Sequence, residues 1–87
     1  MESFEIIFDL TDGRHSATVE KRKSPKPQYV VYFKEEPLDL KYGQLIYEVK
    51  DGHLVNNDEK SLEGADLIAQ IGLEIKNYLQ ENQLPVE

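Results

Sequence analysis

His15 and His53 are the two histidines of this sequence, the residue type best suited to proton transfer, and each follows an Asp-Gly pair, Asp12-Gly13 or Asp51-Gly52. Brought together by the fold, they could form a proton-transfer or metal pair with Asp12, Asp51 or Ser16 nearby. The spacing supplies no His-x-x-x-His and no third ligand at a helical interval. Two exposed hairpin histidines and no metal site are therefore the expectation. Asp12-Gly13-Arg14-His15-Ser16 places an Asp, a His and a Ser close in sequence. Triad members come from separated segments, however, and a serine nucleophile sits on a strained turn such as Gly-x-Ser-x-Gly, which the sequence lacks. The glycines at 13, 43, 52, 64 and 72 form no phosphate loop. Asn56-Asn57-Asp58-Glu59 offers oxygen ligands without the alternating acidic positions and central glycine of a calcium loop, and helix capping accounts for it. With no cysteine, a thiol nucleophile or thiolate metal site is excluded. No catalytic residue and no cofactor is expected.

If the chain carries no chemistry of its own, its surfaces become the candidates. The 87 residues include 17 acidic and 10 basic side chains, for a net charge of −7. Residues 1–43 hold 7 basic and 8 acidic groups, whereas residues 44–87 hold 3 and 9. Nucleic-acid binding depends on Lys and Arg displacing condensed counterions, so nucleic acid is not the expected partner. Lys21, Arg22, Lys23 and Lys26 form a basic segment beside Ser24-Pro25-Lys26-Pro27, read as a solvated connection rather than an anion grip. No apolar run exceeds Tyr29–Phe33, far short of the roughly 20 residues of a membrane span. The acidic start Met1-Glu2-Ser3-Phe4-Glu5 is unlike a signal peptide, so a cytoplasmic location is expected.

The elements that would position these surfaces follow from periodicity. Phe4, Ile6, Phe8 and Leu10 alternate with Glu5, Ile7 and Asp9, which predicts a strand with one core face. Asp12-Gly13 predicts a turn into a second strand at about 14–21, with His15, Ala17 and Val19 on one side. The prolines at 25 and 27 predict a flexible connection over about 21–28, since proline cannot donate to a ladder. Tyr29–Phe33 is apolar at every position and reads as a central strand. Residues 38–42 fit either a short edge strand or a packed loop. Leu45, Tyr47 and Val49 alternate in a further strand, and Asp51-Gly52 turns it into His53-Leu54-Val55. Residues 5–13 and 44–52 match at a shift of 39, with three identities and four conservative pairs, which places Ile7 and Ile46 at equivalent parity. The period does not continue, so this is two hairpins obeying the same physics rather than a duplication.

Leu67, Ile68, Ile71, Ile75, Tyr78 and Leu79 fall on one stripe at 3.6 residues per turn, which predicts an amphipathic helix capped by Ser61 or Asp58. Asn82 and Pro85 end it, with fraying expected over about 83–87. Gly64 and Gly72 lie inside the stripe, each costing roughly 0.5–1 kcal/mol relative to Ala, so something approaches closely there. The whole is an α+β domain over 1–87: an antiparallel sheet of four or five strands with one C-terminal helix packed on one face (β-β-β-β-(β)-α).

A lone helix covers one face only. If Phe4, Ile6, Phe8, Tyr29, Val31, Phe33, Leu45, Tyr47 and Val49 meet it, then Ile7, Val30, Tyr32 and Ile46 face outward together as a candidate interaction surface. Leu62 and Leu73, off the helix stripe, are a lesser one. The expectation is a small, acidic, non-enzymatic protein-interaction domain that meets a protein partner or a second copy of itself through the outer face. The alternative is a domain, or an enzyme with little sequence signal, that takes a small apolar or aromatic ligand in a pocket near Tyr29, Tyr47, Gly64 and Gly72.

Overall fold

The computed structural model describes residues 2–23, 26–56 and 62–86. Five strands, β1 (Glu2–Leu10), β2 (Gly13–Arg22), β3 (Gln28–Phe33), β4 (Leu45–Lys50) and β5 (His53–Val55), form one sheet in sequence order with every pair antiparallel. Short connections leave each strand beside its predecessor. A seven-residue helix α1 (Glu36–Tyr42) lies between β3 and β4, and α2 (Leu62–Glu81) packs across one face. This is the α+β arrangement that the periodicities predict. Of the expected connection at about 21–28, Lys21 and Arg22 belong to β2 and Gln28 to β3, while Ser24 and Pro25 lie outside the described residues, as do Asp58 and Ser61.

Register sorts the side chains into rows. Phe4, Val19, Val31 and Leu45 are cross-strand neighbours, as are Ile6, Ala17 and Phe33, and these rows face α2. From the helix come Leu67, Ile71, Ile75 and Leu79, all buried and each four residues from the next, so that one stripe supplies the second half of the core. Tyr78 stacks on Phe4 at 3.9 Å between centroids. Gly72 explains itself here: a Cβ at this position would lie 3.3 Å from Cε2 of Tyr47, whose hydroxyl donates to the Ile68 carbonyl at 2.7 Å. The glycine lets the helix sit down on a ring that is tethered to the same helix. Gly64 is also buried.

Residues 38–42 are neither a strand nor a loop. They belong to α1, whose first turn contains Pro37, where no backbone N–H is needed, and whose end is Gly43 at φ 62°. Acidic Glu36 and Asp39 near its start and Lys41 in its last turn suit the helix dipole. Leu38 and Tyr42, four apart, pack on the core, while Leu40 between them is 77 % exposed. The apparent Leu-x-Leu alternation thus conceals an i, i+4 pair.

The two Asp-Gly pairs are used differently. Lys50 pairs with His53, so Asp51 (φ 51°) and Gly52 (φ 77°) are the two-residue loop, with the doubly positive φ that matches sheet twist. In the first hairpin Leu10 pairs with Gly13, so the loop is Thr11–Asp12 and Gly13 already belongs to β2. His15 stands three residues after its aspartate and His53 two after its own, and in a period-two structure that one-residue difference reverses faces. His15 therefore lies opposite Phe8 on the inner face, and His53 lies opposite Lys50 on the outer one.

Candidate interaction surface

Ile7, Val30, Tyr32 and Ile46 all occupy outward positions of the sheet, but they do not form one bare patch. Ile7 is 55 % exposed and Ile46 40 %, Tyr32 is half-buried, and Val30 is 0 % exposed although no second layer lies over it among the described residues. Its neighbours account for that. Val30 sits between Glu20 on β2 and Ile46 on β4, and along β3 it lies between the rows of Arg22 and Tyr32. The Arg22 guanidinium accepts no bonds and donates two, one to Glu20 Oε1 at 2.7 Å and one to the Tyr32 hydroxyl. The side chain spans the Val30 row to reach Tyr32, covering the valine with its apolar stem. A second link, Lys34 to Glu5, crosses the line from Ile7 to Tyr32 and separates Ile7 from the other three.

Charge on this face is balanced. Alternation and the ion pairs place four carboxylates here, Glu5, Asp9, Glu20 and Glu48, and four cations, Arg14, Arg22, Lys34 and Lys50. The excess behind the net charge of −7 therefore lies elsewhere. Arg22 of the basic segment is engaged within this face rather than held out toward solvent.

The four residues of the alternative pocket separate into two pairs. Tyr29 is fully buried in the core and Gly64 is buried within the first turn of α2. Tyr47 and Gly72 line an open groove of about 370 Å³ between α2 and the β4–β5 hairpin, together with Leu54, Ile68, Leu73, Lys76 and Val86. At Tyr47 and Gly72 the space directly between helix and sheet is filled; the groove begins beside them.

The histidines do not meet. They are on opposite faces and three strand spacings apart, on the order of 14 Å. His15 is not an exposed hairpin residue either, since its side chain is only 11 % exposed. Its Nε2–H donates to Asp12 at 2.7 Å, its Nδ1–H donates to Glu35, and its ring stacks beside Phe8. Donating from both nitrogens requires the imidazolium. The bond to Asp12, then that to Glu35, raises the His15 pKa above 6.5, and the same bond from His15 holds Asp12 below its usual range. Such a histidine ties the β1–β2 turn to the segment leading into α1, and both carboxylates favour its protonated form. Ser16, the next residue of an extended strand, pairs with Ile7 on the other face, so the sequence-adjacent Asp, His and Ser are not a triad. Among the described residues no group of three His, Cys, Asp or Glu side chains could hold a metal ion, and Asn57–Glu59 lie outside them. Nor is any helix among them long and apolar enough to cross a membrane.

Two contacts carry no local sequence signal. Glu35 is 20 positions from His15, and Gln70 is 61 from Asp9. The Gln70 amide accepts from the Asp9 N–H at 2.7 Å and donates to its carbonyl at 2.8 Å, occupying the edge of β1 as a strand would. Comparison with protein-family models, with curated proteins and with solved structures finds no match.

Proposed function

We propose that this chain is a non-enzymatic protein-interaction domain that self-associates through the outer face of its sheet. The observation that supports this most directly is the combination found there: a face without a covering layer among the described residues, two exposed isoleucines, and equal numbers of acidic and basic groups on a chain of net charge −7. Antiparallel sheets tolerate a wet polar face, and this one instead carries Ile7, Val30, Tyr32 and Ile46. A second copy would meet mixed charges it can pair with, four carboxylates facing four cations rather than an excess of acid.

Sedimentation velocity from micromolar to millimolar concentration tests it. The expected result is a monomer–dimer equilibrium that Ile46→Glu abolishes while the circular dichroism spectrum is unchanged. Because the contacting faces are each balanced, the dissociation constant should change little with added salt. A wild type that stays monomeric at millimolar concentration overturns the reading. So does an Ile46→Glu variant that dimerises as well as wild type.

A further inference from the structure

The groove beside α2 combines an apolar wall with a single cation in its lining. Two contacts hold the helix toward β1, the paired bonds from Gln70 to Asp9 and the Tyr78–Phe4 stack, while the opposite edge of the sheet ends in the three-residue β5. The space left between α2 and the β4–β5 hairpin is the groove of about 370 Å³, whose apolar wall is Tyr47, Leu54, Ile68 and Leu73. Leu73 is 56 % exposed, an apolar side chain left at the rim. In a chain with 17 acidic residues, no carboxylate lines this groove among the described residues.

Its cation is Lys76. Alternation turns the His53 side chain toward the outer face, whereas Lys76 lies one helical turn beyond Gly72 and Leu73 on the groove side of α2. Lys76 is exposed and makes no ion pair among the described residues, and its neighbours three and four positions away are Leu73, Leu79, Gly72 and Gln80, none acidic. An otherwise acidic helix thus holds one uncompensated ammonium over an apolar trough. Small-molecule sites combine an apolar lining with a few placed polar groups, and an ammonium selects an anion.

We infer that this groove binds a small monocarboxylate with an apolar body of about medium-chain fatty-acid size, its carboxylate at Lys76 and its body along Tyr47, Leu54, Ile68 and Leu73. The site is separate from the outer face and stands or falls independently of self-association.

Titration of the ¹⁵N-labelled chain with sodium octanoate tests the assignment, with octylammonium as the charge-reversed control. The expected result is saturable amide shifts at Leu54, Ile68, Gly72 and Leu73 with octanoate, and none that saturate with octylammonium. Lys76→Glu should weaken octanoate binding about tenfold or more, Lys76→Gln nearly as much, and Lys76→Arg little. All three substitutions are made at one solvent-facing position, and an unchanged amide spectrum away from residue 76 verifies the fold. Shifts that do not saturate, that map away from the groove, that appear equally with octylammonium, or that are indifferent to Lys76→Glu would each overturn the inference.

Discussion

The two faces of the sheet bury apolar residues by different means. On the inner face Tyr29, Val31, Leu45 and Tyr47 are covered by a second layer, and the fit is close enough that a single Cβ at Gly72 would press on a ring. On the outer face Val30 is equally inaccessible, yet its cover is a hydrogen-bonded chain of side chains, Glu20, Arg22 and Tyr32, lying flat on the sheet. The first kind of burial is close-packed and costly to disturb. The second consists of half-exposed side chains that a partner can displace, since surface ion pairs stabilise by only about 0–1 kcal/mol. On the proposed reading, displacing that cover is what offers Val30 and Ile46 to a second copy.

The largest expected difference between the faces comes from truncation beneath the helix. Ile71→Ala removes a fully buried side chain from the stripe that meets the sheet. It should cost about 2–5 kcal/mol in urea unfolding, through lost burial and the cavity left behind. Gly72→Ala should come next. Although alanine favours a helix by about 1 kcal/mol, the 3.3 Å approach to Tyr47 and the ring's tether to Ile68 make overpacking the larger effect, at about 1–3 kcal/mol. The net loss should shrink when Tyr47→Phe releases the tether; additive losses would show that the contact is not the cause. On the outer face, Arg22→Ala should cost only about 0.5–1 kcal/mol, chiefly by uncovering Val30. Faster amide exchange at Val30 and Ile46, with α2 unaffected, is the local readout. A loss as large as that of Ile71→Ala would erase the contrast between the faces.

The smallest effect is that of pH. His15 has a raised pKa in the folded state, so its contribution is fully present below about 6.5 and is lost as pH rises through the folded value. Asp12 is depressed, so its contribution is present above about 3.8 and is lost as pH falls through its folded value. The clamp is complete only between those limits. Urea midpoints of wild type should fall slightly on the alkaline side, and those of His15→Gln should not; parallel curves would show that the clamp contributes nothing.

Period-two and 3.6-residue patterns carried the inner face almost entirely, because Phe4, Ile6, Phe8 and the Leu67–Leu79 stripe each belong to one element whose own geometry decides their side. The same parity put Ile7, Val30, Tyr32 and Ile46 outward. What alternation could not convey is cover: whether Val30 is exposed depends on how far Arg22 reaches from β2 to Tyr32 on the neighbouring β3. Helix α1 was hidden because Leu38, Asp39 and Leu40 alternate over a span too short for a helical period to register. The groove was half legible for a similar reason. Tyr47 and Gly72 mark where helix and sheet touch, but the sideways position of α2 depends on Gln70 gripping Asp9, and no pattern within either segment announces that contact.

The contrast between the faces is tested most directly by amide chemical shifts followed as the protein concentration rises from micromolar to millimolar. The outer-face account predicts concentration-dependent shifts at Ile7, Tyr32, Ile46 and their strand neighbours, with Leu67–Leu79 of α2 unmoved. Shifts confined to α2, or none at any concentration, would contradict it.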